Sequence, residues 1–404
     1  MREAGYPTFP MQRVCPFDPS PGFQKARDQG RFIKIKMWNG ELAWLATNYD
    51  DVQQILISPS FSQEPLRSGY PFPTKTRATM LMTERPAMNQ LDPPSHTKYR
   101  RLFARLFAAA RMEKMRPRVQ AIVDELLAAM LAKGSSGDLY TEFALAVPSR
   151  VMAEILGMPL EDQAFFQEMA RTRFTYDDDN FEEPLAAGKK VWAYLEDLFI
   201  KKEATVTEGD DVISRLITEQ IRPGHITRDE AIVHIRQVIL ASHDTTANMI
   251  ALGTLLLLTH PDQLELLKSD PSLAGGAVEE MLRYLTIAQF NSSRVASEDV
   301  EIGGQLIKQG EGVIASIAAA NRDPEMFDEP DKFDIRRDAS RHMAFADGIH
   351  QCIGQPVARL ELQVVFARLF QLMPNLKLGV DLDKIQFTGN STAVYGLISL
   401  PVTW

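Results

Sequence analysis

Two stretches of this chain gather side chains capable of chemistry. The first is FADGIHQCIG, Phe345 to Gly354, centred on Cys352. A cysteine thiolate can ligate a metal, and it needs positive or dipolar surroundings to stay ionised. Gly348 and Gly354 flank the sulfur where a tight turn beside a flat ligand would call for glycine. A helix starting just after Gly354, PVARLELQVVFARLF, would aim its N-terminal amides at the sulfur. On the residues alone, a buried structural cysteine stays open as an alternative. The second stretch is ASHDTTAN, where Ala241, Asp244, Thr245 and Thr246 crowd polar groups into an otherwise apolar helix. Burying such groups without purpose is costly, unless the hydroxyls bond back to their own helix. Adjacent helix positions differ by about 100°, so Asp244 and Thr245 can address different surroundings.

The elements that would position these groups follow from pattern and punctuation. Thr227 and Glu230 form a capping box, the apolar run reaches Leu258, and His260-Pro261 ends it. The pattern predicts a helix of some 32 residues, roughly 48 Å long. Asp92-Pro93-Pro94 opens another helix, in which His96 and Arg100 lie four apart on one face. In GGAVEEMLRYL, Glu280 and Arg283 lie three apart and can pair. Helices are also predicted from Asp50 to Ser58, Pro117 to Gly134 and Thr141 to Gly157. Phe32 to Thr47 reads as a hairpin turning on the dipeptide Asn39-Gly40. SSRVASEDVEIGGQLI reads as a strand and hairpin, and VYGLISLPVTW closes the chain as strands. Between Ser60 and Leu91 the pattern breaks down, with Met80, Met82 and Met88 either plain packing or part of a ligand pocket.

Composition narrows the class. The 404 residues are 45% hydrophobic and 24% charged, ordinary globular usage with no linker, so one large domain spanning residues 1–404 is expected. No apolar run reaches about 18 residues, which points away from a membrane span, and no signal segment is evident. A cytoplasmic monomer is expected. The net charge of −9 argues against nucleic acid as a partner. Cys15 and Cys352 have no zinc-type spacing, and Cys15 is expected to be inert. Between His96 and Arg118 stand eight Lys or Arg (Lys98, Arg100, Arg101, Arg105, Arg111, Lys114, Arg116 and Arg118) against the single acid Glu113. That excess is either a solvated helix face or a docking patch for an acidic partner. The acidic run Asp177 to Asp179, with Asn180, Glu182 and Glu183, is read as a solvated loop, with a mobile lid as the alternative.

FADGIHQCIG resembles the haem-binding loop of the cytochrome P450 family. Phe345, Gly348, His350, Cys352 and Gly354 match it, and Ala346 stands where glycine is usual. ASHDTT resembles the same family's oxygen-binding motif, with Ser242 in place of a glycine, and HTKYR and EMLR match two further motifs in order. The resemblance covers nearly the whole chain and is nearest to the soluble bacterial members that oxidise drugs and secondary metabolites. It implies a mainly α fold, a triangular helical prism with a small β region. It also implies Cys352 as the axial ligand of haem b iron, a ligation known for the family. His96, Arg100 and Arg294 would approach the haem propionates, with Phe345, Gly348, His350, Gly354 and Ala241 lining the cofactor. Arg337 of FDIRR would complete a structural trio with Glu280 and Arg283. The implied activity is a monooxygenase that activates dioxygen with two electrons from NAD(P)H, passed through ferredoxin reductase and ferredoxin. Its product would be a hydroxylated, epoxidised or dealkylated hydrophobic small molecule, with Asp244 and Thr245 relaying protons. Two rivals are a nitric oxide reductase of the same fold taking electrons directly from NAD(P)H, and a non-catalytic haem sensor or carrier. The acid–alcohol pair Asp244-Thr245 favours oxygen activation.

Overall fold

The computed structural model describes residues 5–174, 181–289, 292–389 and 392–404. Ten helices position the site: α1 (Tyr49–Ile57), α2 (Lys75–Thr83), α3 (Ser95–Ala104), α4 (Arg116–Lys133), α5 (Ala146–Leu156), α6 (Gln163–Phe174), α7 (Glu182–Thr205), α8 (Arg228–Thr259), α9 (Ala274–Leu285) and α10 (Gln355–Leu372). At the start of α8 the expected capping box is formed. Thr227 Oγ1 accepts from the Glu230 N–H at 3.1 Å, and Glu230 Oε2 accepts from the Thr227 N–H at 2.7 Å. The helix runs for 32 residues and stops at Thr259, as the His260-Pro261 pair predicts. Most of its residues are buried on every side, because α5, α6, α7 and α10 pack around it. A helix that is apolar all round belongs inside a core. On its far side α10 lies against α4 and α9.

The β structure is small and draws on distant parts of the chain. Strands β1 (Phe32–Lys36), β2 (Leu42–Ala46), β3 (Phe61–Ser62), β4 (Ser293–Ala296) and β5 (Gly312–Ala315) form one sheet in the order β1-β2-β5-β4-β3. The β2–β5 pair is parallel, with Trp44 opposite Val313; the other pairs are antiparallel. The hairpin turn differs from expectation. It is a three-residue loop, in which Gly40 N–H donates to Met37 O at 3.0 Å and Met37 N–H to Glu41 O at 2.8 Å. Gly40 sits at φ 86°, the left-handed residue that follows a type I turn in such loops. The expected strands at the C-terminus are also shorter. Only Pro401–Thr403 is a strand, because the chain before it passes hard against α8. There Asn248 Oδ1 accepts from the Leu397 N–H at 3.0 Å, and a Cβ on Gly396 would fall 1.7 Å from that oxygen. Helix α2 has no apolar period to betray it; Thr74 caps it by accepting from Arg77 N–H.

The segment from Asn321 to Gln351 has no regular element beyond the single turn Gly348–His350. It is held by buried charge. Glu280 and Arg283 on α9 are both fully buried and pair through two contacts of 2.7 and 2.8 Å. Arg337 joins at 3.2 Å, the trio predicted from EMLR and FDIRR. Two residues in the following loop have left-handed backbones, Ala346 at φ 59° and Gly348 at φ 70°. Glycine is required at 348 twice over, since a Cβ there would lie 2.8 Å from Leu56 O and 3.0 Å from Ile57 Cα. At 346 the methyl group makes the backbone strained, a physical reason for glycine at that place. Gly354 is different: its φ of −83° suits any residue.

Glu361 is the anomaly of α10. It is 1% exposed, its Oε2 has no partner among the described residues, and burial alone holds its pKa well above the carboxylate range. It falls on the apolar face with Val357, Leu360, Val364 and Val365.

Two stability measurements follow. A left-handed alanine costs about 1–2 kcal/mol, and glycine's extra unfolded-state freedom takes back part of any gain. Ala346→Gly should therefore raise the unfolding free energy by about 0.5–1 kcal/mol in denaturant titration; a loss of stability would refute the strain. For Glu361 the folded form holds its proton to higher pH than the unfolded form, so stability falls as pH rises above about 4.3, by about 1.4 kcal/mol per unit until the folded pKa is passed. Glu361→Gln removes that loss, and its advantage should widen between about pH 4 and pH 8. A constant difference across that range would show the carboxyl ionises normally.

Candidate functional site

The site is assembled from the start of α10, one face of α3, the start of β4 and the middle of α8. Cys352 opens it. Its N–H donates to Phe345 O at 2.9 Å, closing the loop, and α10 begins three residues later. Cys352 keeps accessible surface although it lies deep in the fold, so that surface opens inward and not on bulk water. Burial pushes the thiol pKa up; the Gly354 N–H, Arg100, the Gln355 N–H and Arg359 all pull it down. The amides of the helix start thus face the sulfur as the sequence implied. A Cβ on Gly354 would sit 3.9 Å from Sγ, so glycine there keeps one side of the sulfur clear. Cys15 and Cys352 are both free.

Around the thiol stand four groups that could bind carboxylates. His96 and His350 face each other with ring centroids 4.6 Å apart. Both ring nitrogens of His96 and Nδ1 of His350 are buried without a hydrogen-bond partner, and the Ile349 backbone near His96 is not in bonding geometry. Burial lowers the His350 pKa to about 3, helped by Arg294, His96 and Arg100; burial and then Arg100 lower that of His96. Arg294 is 1% exposed, donates to Ser293 O at 2.9 Å, and is lowered to about 10 by burial. Arg100 takes part in no ion pair among the described residues and feels Cys352 as its main opposite charge. Buried cations and orphaned imidazoles without anions are a costly arrangement. Two carboxylates placed beside a thiolate-bound iron would satisfy them, so the residues fit haem with its propionates.

Phe345 is held by groups that the sequence reading missed. The Arg359 guanidinium lies over its ring at 4.6 Å and makes a two-pronged pair with Glu279 at 2.8 and 2.9 Å. His342 Nε2 reaches the same carboxylate at 3.0 Å while its Nδ1 accepts from Ala344 N–H. Burial would raise the Glu279 pKa, but His342 and Arg359 outweigh it and bring it to about 2. The signal was present: Arg359 is the only cation in the first two turns of α10.

On α8, Thr245 Oγ1 donates to Ala241 O at 2.7 Å, the local satisfaction allowed for above. Asp244 carries the perturbed acid. Burial raises its pKa to about 6, against Arg171 and a hydrogen bond from Asn248. Asn248 Nδ2 donates to Asp244 Oδ1 at 3.2 Å, and the pKa of the buried Tyr140 phenol is raised by burial and by Asp244. Ser242 does not crowd this face. Its hydroxyl donates to Ile239 O at 3.1 Å, and its side chain lines a small cavity toward α5 and α6 with Pro148 and Phe166.

The structure bears on the other expectations to different degrees. The methionine stripe is not one surface: Met80 and Met88 are core residues, 1% and 4% exposed, while Met82 is 61% exposed. Of the eight basic residues, Lys98 pairs with Glu230, Arg116 with Glu113, Arg118 with Glu154, Arg111 donates to Asp210 O, and Arg100 turns inward. Arg101, Arg105 and Lys114 remain exposed and outside any ion pair among the described residues. The acidic run at Asp177 to Asn180 lies outside the described residues; Glu182 and Glu183 begin α7, where acids favour the helix dipole.

Comparison with known proteins accounts for this arrangement. The cytochrome P450 family model matches residues 23–270 and 273–377. Cytochrome P450-SU2 of Streptomyces griseolus is 42% identical over 98% of this chain and 97% of its own length. Pentalenic acid synthase of Streptomyces avermitilis is 37% identical over 98% and 97%. The crystal structure of GfsF superposes with a TM-score of 0.91 at 40% identity, covering 98% of this chain and all of the other. With the family's motifs matched in order and its architecture reproduced along the whole chain, this protein belongs to the cytochrome P450 family and is a haem-dependent monooxygenase.

Proposed function

We propose that this chain hydroxylates a hydrophobic small molecule with Cys352 as the iron ligand and with Asp244 and Thr245 handling protons. Bound haem supplies the oxygen activation and redox chemistry. What carries the reading is the convergence at one place of a thiol facing two backbone N–H groups and four anion-less donors, two of them buried and two half-buried. Arg100, Arg294, His96 and His350 bind the propionates, and the Arg359–Phe345 stack holds the loop that sets the sulfur. The Glu279 carboxylate keeps Arg359 in place.

The proton-handling groups divide the work. Thr245 Oγ1 donates to Ala241 O, which leaves its lone pairs to accept a proton donor from the cofactor side. Asp244, with its pKa near 6, holds a proton at mildly acidic pH and yields it near neutrality, where a general acid is most effective. Asn248 fixes the carboxylate, and exposed Arg171 on α6 marks its way to solvent. A sensor or carrier needs no such relay, and a reductase fed directly by NAD(P)H would not need acid and alcohol side by side. Electrons arrive from NAD(P)H through a ferredoxin reductase and an acidic ferredoxin that docks on Arg101, Arg105 and Lys114. The protein works as a cytoplasmic monomer; no helix among the described residues is long and apolar enough to cross a membrane.

Two sets of measurements test this. The reduced, carbon monoxide-bound visible spectrum should be of thiolate type, and Cys352→His should abolish that signature; an unchanged spectrum would remove Cys352 from the iron. Thr245→Ala should go on consuming NAD(P)H with substrate while releasing hydrogen peroxide in place of product. Asp244→Asn should slow turnover by about 10²–10⁴-fold in the proton-dependent step. In the parent, turnover should fall as pH rises through about 6, where Asp244 loses its proton, and the asparagine variant should lack that inflection. Full coupling in Thr245→Ala, or an unaltered pH profile in Asp244→Asn, would overturn the relay.

A further inference from the structure

A second cavity lies away from Cys352. It is a surface cleft of about 480 Å³ between the end of α2, one face of α7 and the first half of α8, lined by Thr83, Glu84, Leu185, Lys189, Trp192 and Arg236. Leu185, Lys189 and Trp192 recur at helical spacing on α7, so one face of that helix supplies an apolar residue, a cation and an aromatic ring. Arg236 reaches in from α8, its guanidinium 5.9 Å from the Trp192 ring centre. Clefts of this size hold ligands the size of drugs and metabolites. Arg236 and Asp244 are eight residues apart, about 12 Å along α8, so the cleft stands outside the proton-handling site.

Its charge balance points to the ligand. Glu84 is the one acid in the lining, and its carboxylate is already engaged by Arg173 and, at 3.2 Å, by Arg236. It also lies flush on α7, since a Cβ on Gly188 would come within 2.8 Å of its Oε1. Lys189 is exposed and forms no ion pair among the described residues. One engaged carboxylate therefore faces two cations across an apolar and aromatic floor. In a chain of net charge −9 this is a local reversal of sign. An anion entering here gains Lys189 and the outer side of Arg236, and a ring attached to it gains the Trp192 face and Leu185.

We propose that this cleft is a second small-molecule site, selective for an aromatic carboxylate whose ring lies on Trp192 and whose acid group lies at Lys189 and Arg236. The inference does not rest on the iron ligand: a chain in which Cys352 proved not to bind iron would keep the cleft.

The test uses haem-loaded protein with imidazole on the iron, titrated calorimetrically with 1-naphthoate and with its neutral counterpart 1-naphthamide. In the parent, naphthoate should bind at least about tenfold more tightly than the amide, a margin that about 0.5 M sodium chloride should shrink. Lys189→Glu, a change at an exposed position, should erase the preference for the acid while leaving the amide's affinity unchanged. Trp192→Ala should weaken both probes alike, with circular dichroism checking that the fold persists. Equal binding of the two probes by the parent, no binding of either, or a preference for the acid that survives in Lys189→Glu would each overturn the proposal.

Discussion

The structure depends most on the buried pair of Glu280 and Arg283. Removing two charges from water is expensive, and a pair repays this only when its remaining donors and acceptors are also used. Here they are. Beyond its two contacts with Glu280, Arg283 donates to Asn321 O and Pro330 O at 2.8 Å each, and Glu280 also accepts from Asp334 N–H and Arg337. Those acceptors belong to the irregular segment that leads into the cysteine loop. A stretch without helix or sheet must satisfy its backbone groups by other means, and the charged pair does so from inside. Asn321 extends the anchor, bonding Thr286 with its amide and accepting from Met343 N–H with its carbonyl. The thiol is thereby placed by side-chain electrostatics more than by secondary structure.

Much of this was readable from residue types. The capping box at Thr227, the stop at His260-Pro261, the four-apart His96 and Arg100, and the trio of Glu280, Arg283 and Arg337 are local signals, and the structure realises each. The signals that misled were those whose meaning depends on distant neighbours. Asn39-Gly40 names a turn but not its length, which the pairing of Met37 with Glu41 decides. Which members of the basic run from Lys98 to Arg118 are engaged was hidden because their partners, the Glu230 and Glu154 carboxylates and the Asp210 carbonyl, come from other parts of the chain. Glu361 was legible in principle as a charge on an apolar face. Periodicity alone could not tell that its Oε2 has no partner among the described residues.

Helix α8 combines two requirements that usually conflict. It must be apolar to cross the core, yet it carries Asp244, Thr245, Ser242 and Asn248 within two turns. Each is reconciled by bonding to its own helix or to a neighbour: Thr245 to Ala241, Ser242 to Ile239, and Asn248 to both Asp244 and Leu397. His243 meets Ser149 of α5 at 2.7 Å, with burial lowering its pKa to about 4. Polar groups in a core are tolerated when every one has such an outlet. Asp244 is the one whose protonation stays poised.

The four anion-less groups around the thiol also bear on how the protein comes to exist in a cell. Without two carboxylates between them, Arg100, Arg294 and the facing histidines leave mutual repulsion and bare polar nitrogens at the centre of the fold. A ligand that binds only the folded chain stabilises it in proportion to the logarithm of its concentration. Haem supply during synthesis therefore acts on the yield of folded chains as well as on the fraction that is active, and a culture starved of iron or of porphyrin precursors would accumulate less protein, not merely colourless protein.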